Sequence, residues 1–194
     1  MIKEILLDAT AFLQLNEVND AIFMGMVSTG SDLRPTVADK PHLNDVIGQL
    51  MQCVNLVISE VATHYHPLRI TESAASRNGR IDFNWLSNRV IEVLRVMANG
   101  GNVKFEQRAT GIVVASGAYD VEYTYVPPPS RVESQSPFGS RISSRVLALG
   151  VVREYCIINN MLEEAAMWDK RFLDEIVTVA KPSREIKLPL RRWK

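Results

Sequence analysis

Residues 119–129 read Tyr-Asp-Val-Glu-Tyr-Thr-Tyr-Val-Pro-Pro-Pro. Tyr119, Val121, Tyr123 and Tyr125 alternate with Asp120, Glu122 and Thr124, which puts the large side chains on one face of an extended chain. Pro127, Pro128 and Pro129 cannot donate to a sheet ladder and so end the strand. A half-buried strand needs neighbours, and the sequence upstream supplies them. Between 68 and 126, short runs rich in β-branched and aromatic residues are separated by turn pairs: Asn78-Gly79, Asn99-Gly100, Gly101-Asn102 and Ser116-Gly117. The candidate strands cover 68–73, 80–84, 89–97, 103–108, 111–115 and 119–126, an antiparallel meander.

On both sides of this segment the apolar period changes from two to three and four. Ile2, Ile5, Leu6, Ala9, Phe12 and Leu13 form one helical stripe, which predicts a first helix to about Leu15. Residues 25–41 hold Gly25, Gly30, Pro35 and Pro41 among Ser, Thr and Asp and read as a loop. Leu43, Val46, Ile47, Leu50, Met51, Val54, Val57, Ile58 and Val61 predict a long second helix that ends before Pro67. Downstream, residues 130–140 read as a linker. Ile142, Val146, Leu149, Val152 and Cys156 then predict a third helix, and Leu162, Ala165, Ala166, Phe172, Leu173, Ile176 and Ala180 a fourth. Asn160 as N-cap with Glu163 at N3 would form a capping box between them. The expected fold is α+β, an antiparallel bundle of about four helices with a small antiparallel β insertion and an extended C-terminal tail. Its parts are 1–66 and 142–180 for the helical core, 67–129 for the β lobe, 130–141 for the linker and 181–194 for the tail.

The 194 residues carry 22 Lys plus Arg against 22 Asp plus Glu and are 46% hydrophobic, values of an ordinary soluble globular chain rather than a disordered one. No run reaches the roughly 18–20 consecutive apolar residues of a membrane span, and the first residues lead into an amphipathic segment, so the expectation is a protein made and kept in a cytoplasm. Cys53 and Cys156 fall in apolar helical patterns and read as small buried hydrophobes rather than a disulfide or thiolate pair. The zero net charge conceals a polarity. Residues 181–194 hold six basic residues and one acid, a charge of +5, which leaves −5 on the preceding 180. Pro182 and Pro189 interrupt this tail, and Ile186, Leu188, Leu190 and Trp193 are interleaved with its charges, a composition suited to lying on another surface.

The motifs of catalysis are weak here. His64 and His66 sit at the end of a helix beside Pro67, with His42 far away in sequence, a spacing unsuited to a metal. No Gly-x-Ser-x-Gly elbow marks a nucleophile, and the glycines around 99–102 fit a hairpin turn better than a phosphate loop. Glu163 and Glu164 stand at a helix start, where the macrodipole explains them. Trp168 and Phe172 are four residues apart and read as core. The expectation is a chain that is not an enzyme and uses no cofactor or metal. The basic tail could neutralise phosphates, but its apolar residues suit a protein interface better.

The order of elements, with 121–127 as Val-Glu-Tyr-Thr-Tyr-Val-Pro, 143–155 as Ser-Ser-Arg-Val-Leu-Ala-Leu-Gly-Val-Val-Arg-Glu-Tyr and 163–172 as Glu-Glu-Ala-Ala-Met-Trp-Asp-Lys-Arg-Phe, resembles the head-to-tail adaptor, or connector, proteins of tailed bacteriophages and prophages. The resemblance spans most of the chain. It implies a structural virion protein in the neck, assembled in the host bacterial cytoplasm as a homo-oligomeric ring, in that family a dodecamer. Such a ring joins the portal protein to tail or nozzle proteins around passing genomic DNA, without sequence-specific binding and without a membrane. It further implies that the tail docks on the portal, through Arg184, Lys187, Leu190, Arg191, Arg192, Trp193 and Lys194. Two other readings stand beside it: another neck or tail ring protein of the tail-completion type, and a DNA-binding accessory protein that uses its basic tail.

Overall fold

The computed structural model describes residues 1–30, 33–37 and 40–180. Among these, the chain folds into five α-helices and nine strands in three antiparallel sheets. The helices are α1 (Ile2–Phe12), α2 (Asn16–Phe23), α3 (Asn44–Glu60), α4 (Ser144–Ile158) and α5 (Leu162–Ala180). Strands β1 (Val27–Thr29) and β2 (Pro35–Val37) form a hairpin beside α3. The remaining strands are β3 (Leu68–Ser76), β4 (Arg80–Asp82), β5 (Arg89–Ala98), β6 (Gly101–Asn102), β7 (Glu106–Arg108), β8 (Gly111–Val113) and β9 (Gly117–Val126).

The expected architecture needs two corrections. The β part is not a small insertion but a lobe of seven strands with its own apolar centre, and the helices are not a clean four-helix bundle. One four-stranded sheet has the order β3-β9-β5-β6 and a second, three-stranded one the order β4-β8-β7. Ile81, Val93, Val96, Ile112, Val121 and Tyr123 from both sheets fill the space between them. Residues 119–125 lie in the central strand β9, paired with β3 and β5 together, so their alternation became two-sided pairing with Tyr119, Val121 and Tyr123 turned inward. Both Asn-Gly pairs turn the chain as their composition requires. Asn78-Gly79 and Asn99-Gly100 have φ of 51, 75, 50 and 78°, all left-handed, the conformation that a two-residue hairpin needs.

The first helix is shorter than its stripe predicts because Gln14 turns left-handed at φ 57°. The Leu15 amide then bonds the Thr10 carbonyl at 2.9 Å and the Gln14 amide bonds Ala11 at 3.2 Å, a closed C-terminal cap that glutamine rarely forms. A separate α2 follows, locked to α1 by Asn19, whose amide donates to the Leu7 carbonyl and the Thr10 hydroxyl. The segment read as the loop 25–41 holds the β1–β2 hairpin, whose three-residue strands are too short to show a period. Val27 and Val37 carry it into the helical core.

Asn160 plays the opposite part from the one expected. It stands at φ 59° and closes α4, with the Met161 amide bonded to Cys156 at 2.8 Å and its own to Ile157 at 3.1 Å. No N-cap box forms there, because a left-handed residue is the end of the helix before it rather than the start of the next. Residues 130–142 run over the helical core, with Val132, Phe138 and Ile142 buried, and with the Ser130 amide held by Asn55 at 2.8 Å. Pro41–Tyr65 is apolar and long enough, by length and composition, to cross a membrane, and half of its most apolar stretch is buried in this fold.

Candidate functional site

The helical part is organised around α4. The Ser143 hydroxyl accepts from the Val146 amide and caps it, and the eight residues from Val146 to Arg153 are buried without interruption, because α1, α3 and α5 cover it on different sides. At Gly150 two of the covering helices press close to the α4 backbone. A Cβ there would lie 2.9 Å from Val57 of α3 and 3.1 Å from Phe172 of α5, so the missing side chain sets the spacing of three helices.

One turn on, Arg153 ties the same three helices electrostatically. It is 8% exposed. Its guanidinium donates to both oxygens of Glu60 on α3, to Glu154 at 3.0 and 2.7 Å, and to Asp169 on α5 at 3.1 Å. It also lies over the Phe172 ring at 4.9 Å, with Tyr65 edge-on to that ring at 6.0 Å. Burial opposes its charge, but the Glu60, Asp169 and Glu154 carboxylates outweigh this and raise its pKa further. Through Asp169 and the Phe172 ring the cluster joins α5 to α3 and α4.

With α4 covered on its other sides, α5 buries only a narrow face. Ala165, Phe172 and Ile176 enter the core and Trp168 stacks on Phe12 at 5.5 Å, so the expectation that Trp168 and Phe172 are core side chains holds. The expectation for Leu162, Ala166 and Leu173 does not. They are exposed, Leu162 at 62%, and Val177 is exposed at 44%. Spaced four, seven and four residues apart, Leu162, Ala166, Leu173 and Val177 fall on one side of α5, beside the buried face. Ile157 and Ile158 at the end of α4 are exposed as well, so the tip of the α4–α5 hairpin continues the apolar surface. The sequence signal for it was available: the apolar residues of α5 occupy two stripes where one neighbour can cover only one.

The residues expected to dock on a portal, Arg184, Lys187, Leu190, Arg191, Arg192, Trp193 and Lys194, lie outside the described residues, as does the rest of the 181–194 tail.

Other polar groups are committed to structure. Glu72 on β3 accepts from the Ser87 amide and hydroxyl and from Tyr123 at 2.7 Å. Burial would raise its pKa, yet these donors lower it, which makes it a weak base and a clamp between β3 and the β4–β5 connection. His42 sits 3.3 Å from Glu17, and His66 packs on Phe138. Among the described residues, no three His, Cys, Asp or Glu side chains gather in metal-binding array. Cys53 and Cys156 are buried as expected, the Cys53 thiol pushed up to about 12 by burial. An open groove of about 910 Å³ runs between β2 and α3, lined by Arg34, Asp45, Gln49, Gln52 and Asn55 among others.

Burial and Arg141 hold the His66 pKa below its ordinary 6.5. The unfolded chain therefore binds the proton more readily, so stability is complete above that value and falls as pH drops below it. Urea unfolding at pH 7.5 and 5.5 should show this slope, and His66→Gln should flatten it. An unchanged slope in the variant would place its origin in another group.

Compared with known proteins, the chain matches no family model and no curated protein.

Proposed function

We propose that the chain is a non-enzymatic structural subunit of a tailed-phage head-to-tail connector, forming a ring that joins portal to tail around the DNA channel. The observation that carries this reading is the exposed apolar surface of α5 and the α4–α5 tip, Ile157, Ile158, Leu162, Leu173 and Val177, on a helix held rigidly by the Arg153 cluster. Contiguous apolar surface of this kind marks a protein interface. The resemblance in element order supplies the class of assembly, and the basic tail supplies a second contact distinct from the first. A contact in which this apolar surface meets a different surface of the next copy is head-to-tail, and such contacts close into rings when the rotation permits.

In this reading α5 meets a neighbouring copy and residues 181–194 meet the portal. The β lobe faces tail or nozzle proteins or the ring exterior, no cofactor or membrane takes part, and the site of action is the virion neck. An acidic body suits a channel through which DNA slides without adhering, since basic linings hold DNA by counterion release.

The test is native mass, measured for the purified protein alone and with a portal ring. The expected result is a stoichiometric ring on the portal for the full chain and none for a chain truncated after residue 180, which should remain folded. Assembly with tail components but not the portal would move the protein to a lower ring, and binding to neither would overturn the proposal. The +5 tail also supports the DNA-binding reading, which predicts a duplex gel shift whose log affinity falls steeply with log salt.

A further inference from the structure

We infer that the β3 edge of the four-stranded sheet is a docking surface for the same edge of a second copy, the two β3 strands pairing antiparallel about a two-fold axis. The outer strands of the lobe's two sheets are unequal. β6 has two residues and β4 and β7 three each, whereas β3 has nine. Every second residue of an edge strand directs an unpaired N–H and C=O outward, so proteins keep such edges short, bulged or guarded by Lys and Pro. β3 has none of these devices. It contains no Lys or Pro, its register with β9 runs unbroken from Leu68 to Ser76, and among the described residues its backbone bonds to no strand but β9. No residue of β3 is buried, although Tyr119, Val121 and Tyr123 beside it on β9 are.

An edge of alternating donors and acceptors is met by another extended backbone, and the one long edge of the lobe among the described residues is β3 itself. A two-fold axis makes it its own complement. Charge then selects the register. An axis through Glu72 sets that carboxylate opposite its own copy, and one through Ser73 sets Arg69 opposite Arg77, so both oppose like charges. An axis through Thr71 avoids both. It sets Thr71 opposite Thr71 and Arg69 opposite Ser73 of the second copy, all on the exposed face. Ser73 donates to Asp120 on β9 at 2.6 Å, so Asp120 of the second copy lies two strands from Arg69, about 10 Å at the backbone and within reach of the two extended side chains. Arg69 is in no ion pair among the described residues. The two-fold forms this Arg69–Asp120 pair twice.

The inference does not rest on the connector reading. Neighbours in a closed cyclic ring are related by the ring axis and not by a two-fold between them, so the β3 pair belongs to the subunit outside the ring and shields its edge there.

The test is sedimentation of the full chain over a range of concentrations. The native chain should dimerise as concentration rises. Arg69→Glu should weaken the dimer about tenfold, and adding Asp120→Arg should restore it by re-forming the pair with its signs exchanged. Thr71→Cys, on the axis, should give a disulfide-linked dimer on oxidation, the native Cys53 and Cys156 being buried. Ala75→Cys, on the same exposed face but about 27 Å from its copy along the strands, should not. A chain that stays monomeric throughout, a double variant that does not recover, or equal cross-linking at the two cysteines would overturn the pairing. So would a dimer that Arg69→Glu leaves intact and Leu173→Glu dissolves, which would put the contact on α5. No portal or DNA enters the measurement, so its failure leaves the connector reading to its own test.

Discussion

Arg153→Ala should lower the unfolding free energy by about 3–4 kcal/mol, read from the urea midpoint at constant slope. Two losses combine. The guanidinium and its stem leave a gap beside Phe172, and Glu60, Glu154 and Asp169 are left without their shared cation. Arg153→Lys keeps the charge but not the planar fork that reaches three carboxylates at once, and should recover only part of the loss. Adding Glu60→Gln to Arg153→Ala should also recover part, because it removes one of the stranded charges. If that double variant were as unstable as the single one, the cost would be packing alone. The same substitution should loosen α5, since Asp169 is the α5 group tied into the cluster.

Gly111→Ala should be comparably severe in the β lobe, on the order of 3 kcal/mol. Gly111 pairs with Asp82 across β8 and β4, and an added Cβ would run into the Ile81 carbonyl oxygen and press on the Asp82 Cα at 3.1 Å. Those are backbone atoms in a ladder, so no rotamer change can relieve the contact and the strands must separate. Ile81 and Ile112, both fully buried, would be drawn out of register with the core between the sheets. Gly101→Ala is the control. Its nearest neighbour is 3.6 Å from the new Cβ and its backbone is ordinary, so the change should stay within about 0.5 kcal/mol. Equal effects at the two glycines would show that chain flexibility rather than the close approach decides the outcome.

The long elements were legible because their side chains announce a period. The stripes of α3, α4 and α5, the alternation of β9 and the two Asn-Gly turns each satisfy their own local chemistry, and they stand close to where the sequence places them. The misses were of two kinds: local structures without a period, namely the Gln14 cap that divides α1 from α2, the three-residue strands β1 and β2 and the left-handed Asn160, and the pairing of the β lobe, which is not the expected meander but two sheets ordered β3-β9-β5-β6 and β4-β8-β7. The two caps are single left-handed residues closed by bonds to the preceding helical turn, which leave no mark on a hydrophobic pattern, and the hairpin is held by Val27 and Val37 packed in a core made by residues distant in the chain.

For the candidate site the division is similar. Sequence alone determined the charge polarity of the chain, the amphiphilic tail and the presence of more apolar residues on α5 than one face can hold. Only the tertiary structure decided that α4, rather than α5, is the helix buried on several sides. With it came the burial of Arg153 among three carboxylates and the exposure of Leu162, Leu173 and Val177. The physical reason is that periodicity records which side chains share a face of an element, whereas burial depends on which other element covers that face.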